Sequence, residues 1–216
     1  MIVVGLTGSI GMGKTNAANN LRRLGLPVFD ADETVHRLLA PSGAAVAAVE
    51  TAFPGVRDER GGIDRQRLAQ RVFGNPEALR RLERILHPIV AQSANRFLGR
   101  ERGRGARIVV LDIPLLFEGG RRWRCDYVLV VTAPRWVQRQ RVMRRPGMTE
   151  SRFAAILAQQ MPDREKRRRA DFVVQTGLSR AATLRRLRGI VTILRQRQER
   201  RRRGAQRVAR QPRGYG

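Results

Sequence analysis

An apolar run from Ile2 to Leu6 passes directly through Thr7 into Gly8-Ser9-Ile10-Gly11-Met12-Gly13-Lys14-Thr15, and no other stretch limits the fold so tightly. A short, unbroken apolar run reads as a strand buried on both faces. The eight residues from Gly8 to Thr15 fit G-x-x-x-x-G-K-[ST], the phosphate-binding loop. Gly8, Gly11 and Gly13 let the backbone curl until its N–H groups converge on phosphate oxygens. A helix opening near Gly13 turns its positive dipole end towards the same anion. Lys14 reaches the β- and γ-phosphates, and the Thr15 hydroxyl is a Mg2+ ligand. The junction predicts a nucleoside triphosphate site.

The rest of the chain alternates in a way that suits such a loop. A helix from Thr15 to Leu24 stops at Gly25, and Leu26–Phe29 forms a short strand that delivers Asp30-Ala31-Asp32 to its C-terminal end. Helices are expected at Glu33–Leu39 and Ala44–Phe53, followed by a turn-rich stretch around Pro54-Gly55 and Gly61-Gly62. Residues 63–102 read as helical, with a stripe of Leu79, Leu82, Ile85, Leu86, Ile89 and Val90 that His87-Pro88 is expected to interrupt. Strands are expected at Arg107–Leu111, Tyr127–Val131 and Phe172–Gln175. Helices are expected at Arg135–Arg145 and from Thr149 to about Met161, then a charged connector from Pro162 to Arg169, and a last helix from Ser179 to about Gln198. Five strands alternating with helices, with the phosphate loop after the first, predict an α/β P-loop kinase-like fold: a five-stranded parallel sheet flanked by helices.

Composition sets outer bounds. At 216 residues and 42% apolar content the chain can bury a core as one α/β domain, or as one domain with a small insertion. It has no apolar run long enough for a transmembrane helix, no basic segment before the first strand, and a single cysteine, Cys125. A cytoplasmic setting without membrane contact is expected. The net charge of +26 comes almost wholly from arginine, since Lys14 and Lys166 are the only lysines. Over the body this reads as a compositional bias on solvated faces, with anionic substrates contributing. Residues 199–216 read as a basic, disordered tail that nucleic acid could engage weakly but that the chemistry does not require.

Three places carry the candidate chemistry. Asp32 stands at the sheet edge where ligands bind, and phosphoryl transfer needs an acceptor for the hydroxyl proton. An Asp-x-Asp pair is equally suited to capping the next helix, and both readings stand. Asp112 closes the apolar run Ile108-Val109-Val110-Leu111, a Walker-B-like position suited to Mg2+, with capping as the alternative. Helical spacing puts Arg141, Arg144 and Arg145 on one face, able to clamp a transferring phosphoryl group and close as a lid. His87, within the apolar stripe, reads by pattern as a core histidine. Trp123 and Trp136 read as packing residues or as a ligand platform.

The ordered set of segments resembles the dephospho-coenzyme A kinase family over residues 2 to about 176. The resemblance runs through Gly5–Thr15, Asp30-Ala31-Asp32, Leu82–Pro88, Leu111–Glu118, Gln138, Arg141, Arg145, Gln160, Lys166 and Ala170-Asp171. It implies transfer of the ATP γ-phosphoryl group, with Mg2+, to the ribose 3′-hydroxyl of dephospho-coenzyme A. It also implies three parts: a core (1–31, 104–138 and 170–198), a helical acceptor-binding insertion (about 32–103) and a lid (about 139–169). By the same resemblance Gly11, Met12, Gly13, Lys14, Thr15 and Asn16 hold ATP, and Arg145 joins them from the lid. Asp32 is the general base and Arg141 contacts the transferred phosphate. His87, Leu115 and Phe117 face the acceptor, which lifts His87 from core residue to ligand contact. Ser9, Met12, Asn16 and Gln175 depart from the family's usual residues, the last near the adenine side. A related nucleoside or nucleotide kinase shares this fold, and a slow P-loop switch protein is a further alternative. No Asn-Lys-x-Asp sequence supports guanine specificity. Monomer and homo-oligomer both remain open.

Overall fold

The computed structural model describes residues 1–118 and 123–209, with side chains to residue 203. In chain order the elements are β1 (Ile2–Thr7), α1 (Lys14–Arg23), β2 (Val28–Asp30), α2 (Ala31–Leu39), α3 (Val46–Ala52), α4 (Arg65–Val72), α5 (Pro76–Gly103), β3 (Ile108–Asp112), β4 (Tyr127–Thr132), α6 (Arg135–Met143), α7 (Glu150–Ala158), α8 (Asp163–Arg168), β5 (Phe172–Gln175) and α9 (Arg180–Ala209). The chain divides into two compact units: Met1–Phe29 with everything from Glu101 onward, and Asp30–Arg100.

The first unit is built on the expected five-stranded sheet, in the order β2-β3-β1-β4-β5. β1 pairs in parallel with β3 (Ile2 opposite Ile108) and with β4 (Val4 opposite Tyr127), and β4 pairs with β5 (Leu129 opposite Phe172). β3 is buried at all five positions, as a central parallel strand covered on both faces should be. Ile2, Val4, Leu6, Ile108, Val110, Leu129 and Val131 from the strands pack with Ala17 and Leu21 of α1 and with Leu187, Ile190, Val191 and Leu194 of α9. In parallel register the strands end together, so the segments after β1, β3, β4 and β5 share one edge of the sheet.

The second unit is helical. Val46, Val49, Phe53, Val56, Ile63 and Leu68 form its core with Leu86 of α5, and Leu82, Ile85 and Ile89 pack against it at half-burial. Asp64 caps α4 by accepting from the Gln66 and Arg67 amides, which fixes the end of the turn-rich stretch.

Three expectations are corrected. Pro88 does not interrupt the helix: α5 runs unbroken for 28 residues. An interior proline costs roughly 3 kcal/mol or more, which burial of Leu86, Val90, Ala91, Ala94 and Phe97 on either side offsets. The connector after Pro162 contains α8, whose acidic residues (Asp163, Glu165) lie in its first turn and whose last turn is wholly basic (Lys166–Arg168), the order the helix dipole favours. The last helix does not end at Gln198, and the stretch from Glu199 to Ala209 is helical rather than disordered. Arginine is a good helix former, and this part of α9 is anchored. The Arg197 guanidinium lies 4.9 Å from the Tyr127 ring centroid and 5.6 Å from that of Phe172. Arg201 lies 5.7 Å from the Tyr127 centroid and donates to Asp126 Oδ1 at 2.8 Å. Residues 210–216 of the expected tail lie outside the described residues. No helix among the described residues is long and apolar enough to cross a membrane.

Candidate active site

The loop between β1 and α1 needs its glycines for two different reasons. Gly8 is a matter of space: a Cβ there would stand 2.5 Å from Val131 Cγ2 and 2.7 Å from the Val131 carbonyl oxygen on β4. Gly11 and Gly13 are a matter of conformation, with φ of 75° and 83°. Gly13 is the N-cap of α1 in left-handed geometry, a shape that costs a residue with a Cβ roughly 1–2 kcal/mol.

Several backbone groups of the loop, one amide and three carbonyls, are held from outside by side chains. The Ile10 amide donates to Gln160 Oε1 at 3.0 Å, and the Ile10 carbonyl accepts from Gln138 Nε2 at 2.8 Å. The Gly11 carbonyl accepts from Arg141 Nη1 at 3.4 Å. The Met12 carbonyl accepts from the Thr176 hydroxyl at 2.7 Å, and the same hydroxyl accepts from Arg141 Nη1 at 3.0 Å. Arg141 Nη2 donates to the Thr176 carbonyl at 2.7 Å. Met12 turns its buried side chain into the core, where its sulfur accepts from the Ala133 amide at 3.0 Å. The hydrophobic thioether accounts for methionine at this nominally variable position.

Inside the loop, Lys14 Nζ lies 2.7 Å from Asp112 Oδ1, and the Asp112 side chain is only 2% exposed. Thr15 is exposed in the first turn of α1, and Asn16, also exposed, accepts from Asn20 Nδ2 at 3.0 Å. Among the described residues no group of three His, Cys, Asp or Glu side chains could hold a metal by itself. The Thr15 hydroxyl and the Asp112 carboxylate are hard oxygen donors, and such a pair fits Mg2+, which keeps several waters and takes phosphate oxygens for the rest of its octahedron.

The other sequence candidates fall as follows. Arg145 is exposed just beyond the end of α6. After β3, Leu115 is exposed and Phe117 half-buried, while Leu116 between them is buried. Trp136 is exposed on α6. In the second unit, Asp30 is the N-cap of α2, its carboxylate accepting from the Glu33 amide at 3.0 Å. The capping role therefore belongs to Asp30, and Asp32 is an exposed first-turn residue. His87 is exposed on α5 rather than buried in a core. Sequence reasoning gave no role to Gln138, Gln160 or Thr176. Their hydrogen bonds to Ile10 and Met12 join residues 128, 150 and 164 positions apart, beyond any local pattern.

Comparison with known proteins points the same way as this geometry. The sequence model of dephospho-CoA kinase matches residues 2–180, which span β1 to β5 and every loop-holding residue named above. The chain is 55% identical over 204 residues to the dephospho-CoA kinase of Rhodospirillum rubrum, covering 94% of this chain and 96% of that protein. It is 58% identical over 177 residues to the dephospho-CoA kinase of Mesorhizobium japonicum, covering 82% and 88%. Among solved structures it is similar to TT1252 from Thermus thermophilus, with a TM-score of 0.75 at 37% identity, covering 89% of this chain and 96% of that one. A loop shaped for phosphates, the buried aspartate beside its lysine, and a match that runs through both units make this chain a member of the dephospho-CoA kinase family.

Proposed function

We propose that the chain transfers the ATP γ-phosphoryl group to the ribose 3′-hydroxyl of dephospho-CoA, giving CoA and ADP. Family membership supports the reaction, and the arrangement of Lys14 beside the buried Asp112 at the mouth of the Gly8–Thr15 loop is the observation that carries the site. Lys14 and the loop amides, through Gly11, Gly13, Thr15 and Asn16, hold the donor phosphates, and Arg145 closes over them. Thr15 and Asp112 hold Mg2+, which when bound draws off charge gathering on the phosphoryl oxygens.

Asp32 takes the proton of the 3′-hydroxyl as that oxygen bonds to the γ-phosphorus and the bond to the β-phosphate oxygen breaks. The exposure of Asp32 in the first turn of α2, where Asp30 already serves as the cap, supports this. Arg141 steadies negative charge on the transferring group. His87, Leu115 and Phe117 contact the acceptor. The second unit holds cavities of about 480 and 300 Å3, and Arg81 and Arg84 line both, a cationic wall suited to an anionic acceptor. The direct test is ADP release by the full chain with Mg-ATP, with and without dephospho-CoA. Turnover that depends on dephospho-CoA is expected, and its absence would sink the assignment.

A further inference from the structure

The chain's second lysine has no place in the mechanism above, yet it is fully buried. Lys166, on α8, is 0% exposed, and its Nζ lies 2.7 Å from Glu118 Oε1, itself 13% exposed. Removing two charges from water costs several kilocalories per mole per ion, and an apolar pair of similar volume is often as stable. Stability alone therefore gives a poor account of the pair. Nor is it optimised as a network. Lys166 Nζ and Glu118 Oε1 touch as ions without hydrogen-bond alignment, and Glu118 Oε2 and Asp163 Oδ1 are buried without a hydrogen-bond partner. A partly satisfied buried cluster calls for an explanation other than packing.

What the pair touches supplies one. Glu118 Oε1 also accepts from the Met161 amide at 2.9 Å, in the connector between α7 and α8. The residue before Met161 is Gln160, whose Oε1 accepts from the Ile10 amide of the phosphate loop. On the other side of Met161, Asp163 accepts from the Thr132 hydroxyl at the end of β4 at 2.8 Å. A continuous path thus runs from Lys166 through Glu118 and Met161 to Gln160 and the loop. We propose that Lys166 and Glu118 are positioning residues: their buried ion pair holds the α7–α8 connector so that Gln160 keeps its grip on Ile10, and the loop keeps the shape that binds the donor phosphates. The proposal rests on the nucleotide-binding reading of the loop and deepens it.

The test uses the full chain and two variants that cut the path at different points. Lys166→Met removes the charge at nearly the same length, and Gln160→Ala cuts the last link while leaving the ion pair alone. Binding of a non-hydrolysable ATP analogue with Mg2+ is measured by calorimetric titration, beside KM for ATP and for dephospho-CoA. Both variants are expected to weaken nucleotide binding and raise KM for ATP by about tenfold. KM for dephospho-CoA stays unchanged. The double variant binds nucleotide no worse than the weaker single variant, because both changes act on one path. Nucleotide affinity close to wild type in folded Lys166→Met, or losses that simply add, would overturn the proposal and leave the pair a packing feature. If Lys166→Met does not fold, Glu118→Gln carries the same expectation, since it keeps an oxygen for the Met161 amide and removes only the charge. Failure of the unmodified chain to use dephospho-CoA would defeat the kinase assignment instead, and the titration would still decide the loop's support.

Discussion

Replacing Thr176 by valine isolates what the outer wall of the phosphate loop contributes. The two side chains have nearly the same shape, so packing is conserved and only the hydroxyl is lost. That hydroxyl donates to the Met12 carbonyl at 2.7 Å and accepts from Arg141 Nη1 at 3.0 Å, at a residue 7% exposed. Arg141 keeps its bond to the Thr176 carbonyl, so the guanidinium is loosened but not released. The Met12 carbonyl has no such reserve, and leaving a buried acceptor unsatisfied costs about 1–3 kcal/mol. In a chain of this size that lowers Tm by about 3–10 °C. The loss in ATP affinity is bounded by the same free energy, about 5- to 150-fold in Kd. Thermal unfolding and titration with a non-hydrolysable ATP analogue read the two effects separately. Thr176→Ser keeps the hydroxyl and is expected to behave like the unmodified chain. A valine variant with unchanged Tm and unchanged nucleotide affinity would refute the idea that the wall sets the loop.

Three further outcomes follow from particular residues. Asp32→Asn is expected to keep nucleotide binding while turnover with dephospho-CoA falls by about two to four decades, the usual share of general-base catalysis; near-normal turnover removes the base assignment. Burial alone would raise the Asp126 pKa, but hydrogen bonds from Arg201 and the Val3 amide outweigh it and hold the carboxyl below its ordinary value. A depressed folded-state pKa stabilises above the unfolded pKa and is lost as pH falls through the folded one, so Asp126→Asn lowers Tm near neutrality and flattens the acid limb below about pH 4. Because the pair is partly exposed, the loss at neutral pH is only about 1 kcal/mol or less, and a pH series of melting curves measures it. Burial, with Asp126 adding to it, pushes the Cys125 thiol up to about 11. Its alkylation by iodoacetamide at pH 8 should then run about 100-fold slower than that of an ordinary thiol, and labelling at the rate of free glutathione, followed by mass spectrometry, contradicts the burial argument.

Sequence reading succeeds here where residue type answers a local demand. Glycine at positive φ is such a demand, and the spacing of Gly11 and Gly13 made the loop legible before any contact was known. The unbroken apolar runs of β1, β3 and β4 announced a sheet buried on both faces for the same reason. The Asp-x-Asp pair was legible only in part: both aspartates suit a cap, and the extended backbone of Asp30 decides which one serves. Pro88 misled because propensity is a local quantity, whereas the burial that carries α5 through it is tertiary. The stretch from Glu199 to Ala209 misled in the opposite direction. A run of like charge usually repels itself into disorder, but Tyr127, Phe172 and Asp126, more than 20 residues away in sequence, give Arg197 and Arg201 something to hold.

The loop itself explains why its supporting residues escape a motif search. Backbone that presents N–H groups to an anion necessarily presents carbonyls the other way, and buried carbonyls must be paired. The motif records only the inner side of that arrangement. The outer side is supplied by Gln138 and Arg141 of α6, Gln160 after α7 and Thr176 after β5, each bringing a long-range donor or acceptor to one loop group. Arg141 shows that a wall role and a chemical role are compatible. A guanidinium carries five N–H donors in a planar fork, and its contacts with the Gly11 carbonyl, the Thr176 hydroxyl and the Thr176 carbonyl draw on Nη1 and Nη2 alone. An arginine fixed at these atoms is pre-organised, which is the condition under which a positive charge stabilises a transition state without the cost of rearranging during the reaction. The same hydrogen bonds that hold the loop in shape therefore also hold the proposed phosphoryl-binding charge still, and a lysine at this position would supply the charge without the fork that fixes it.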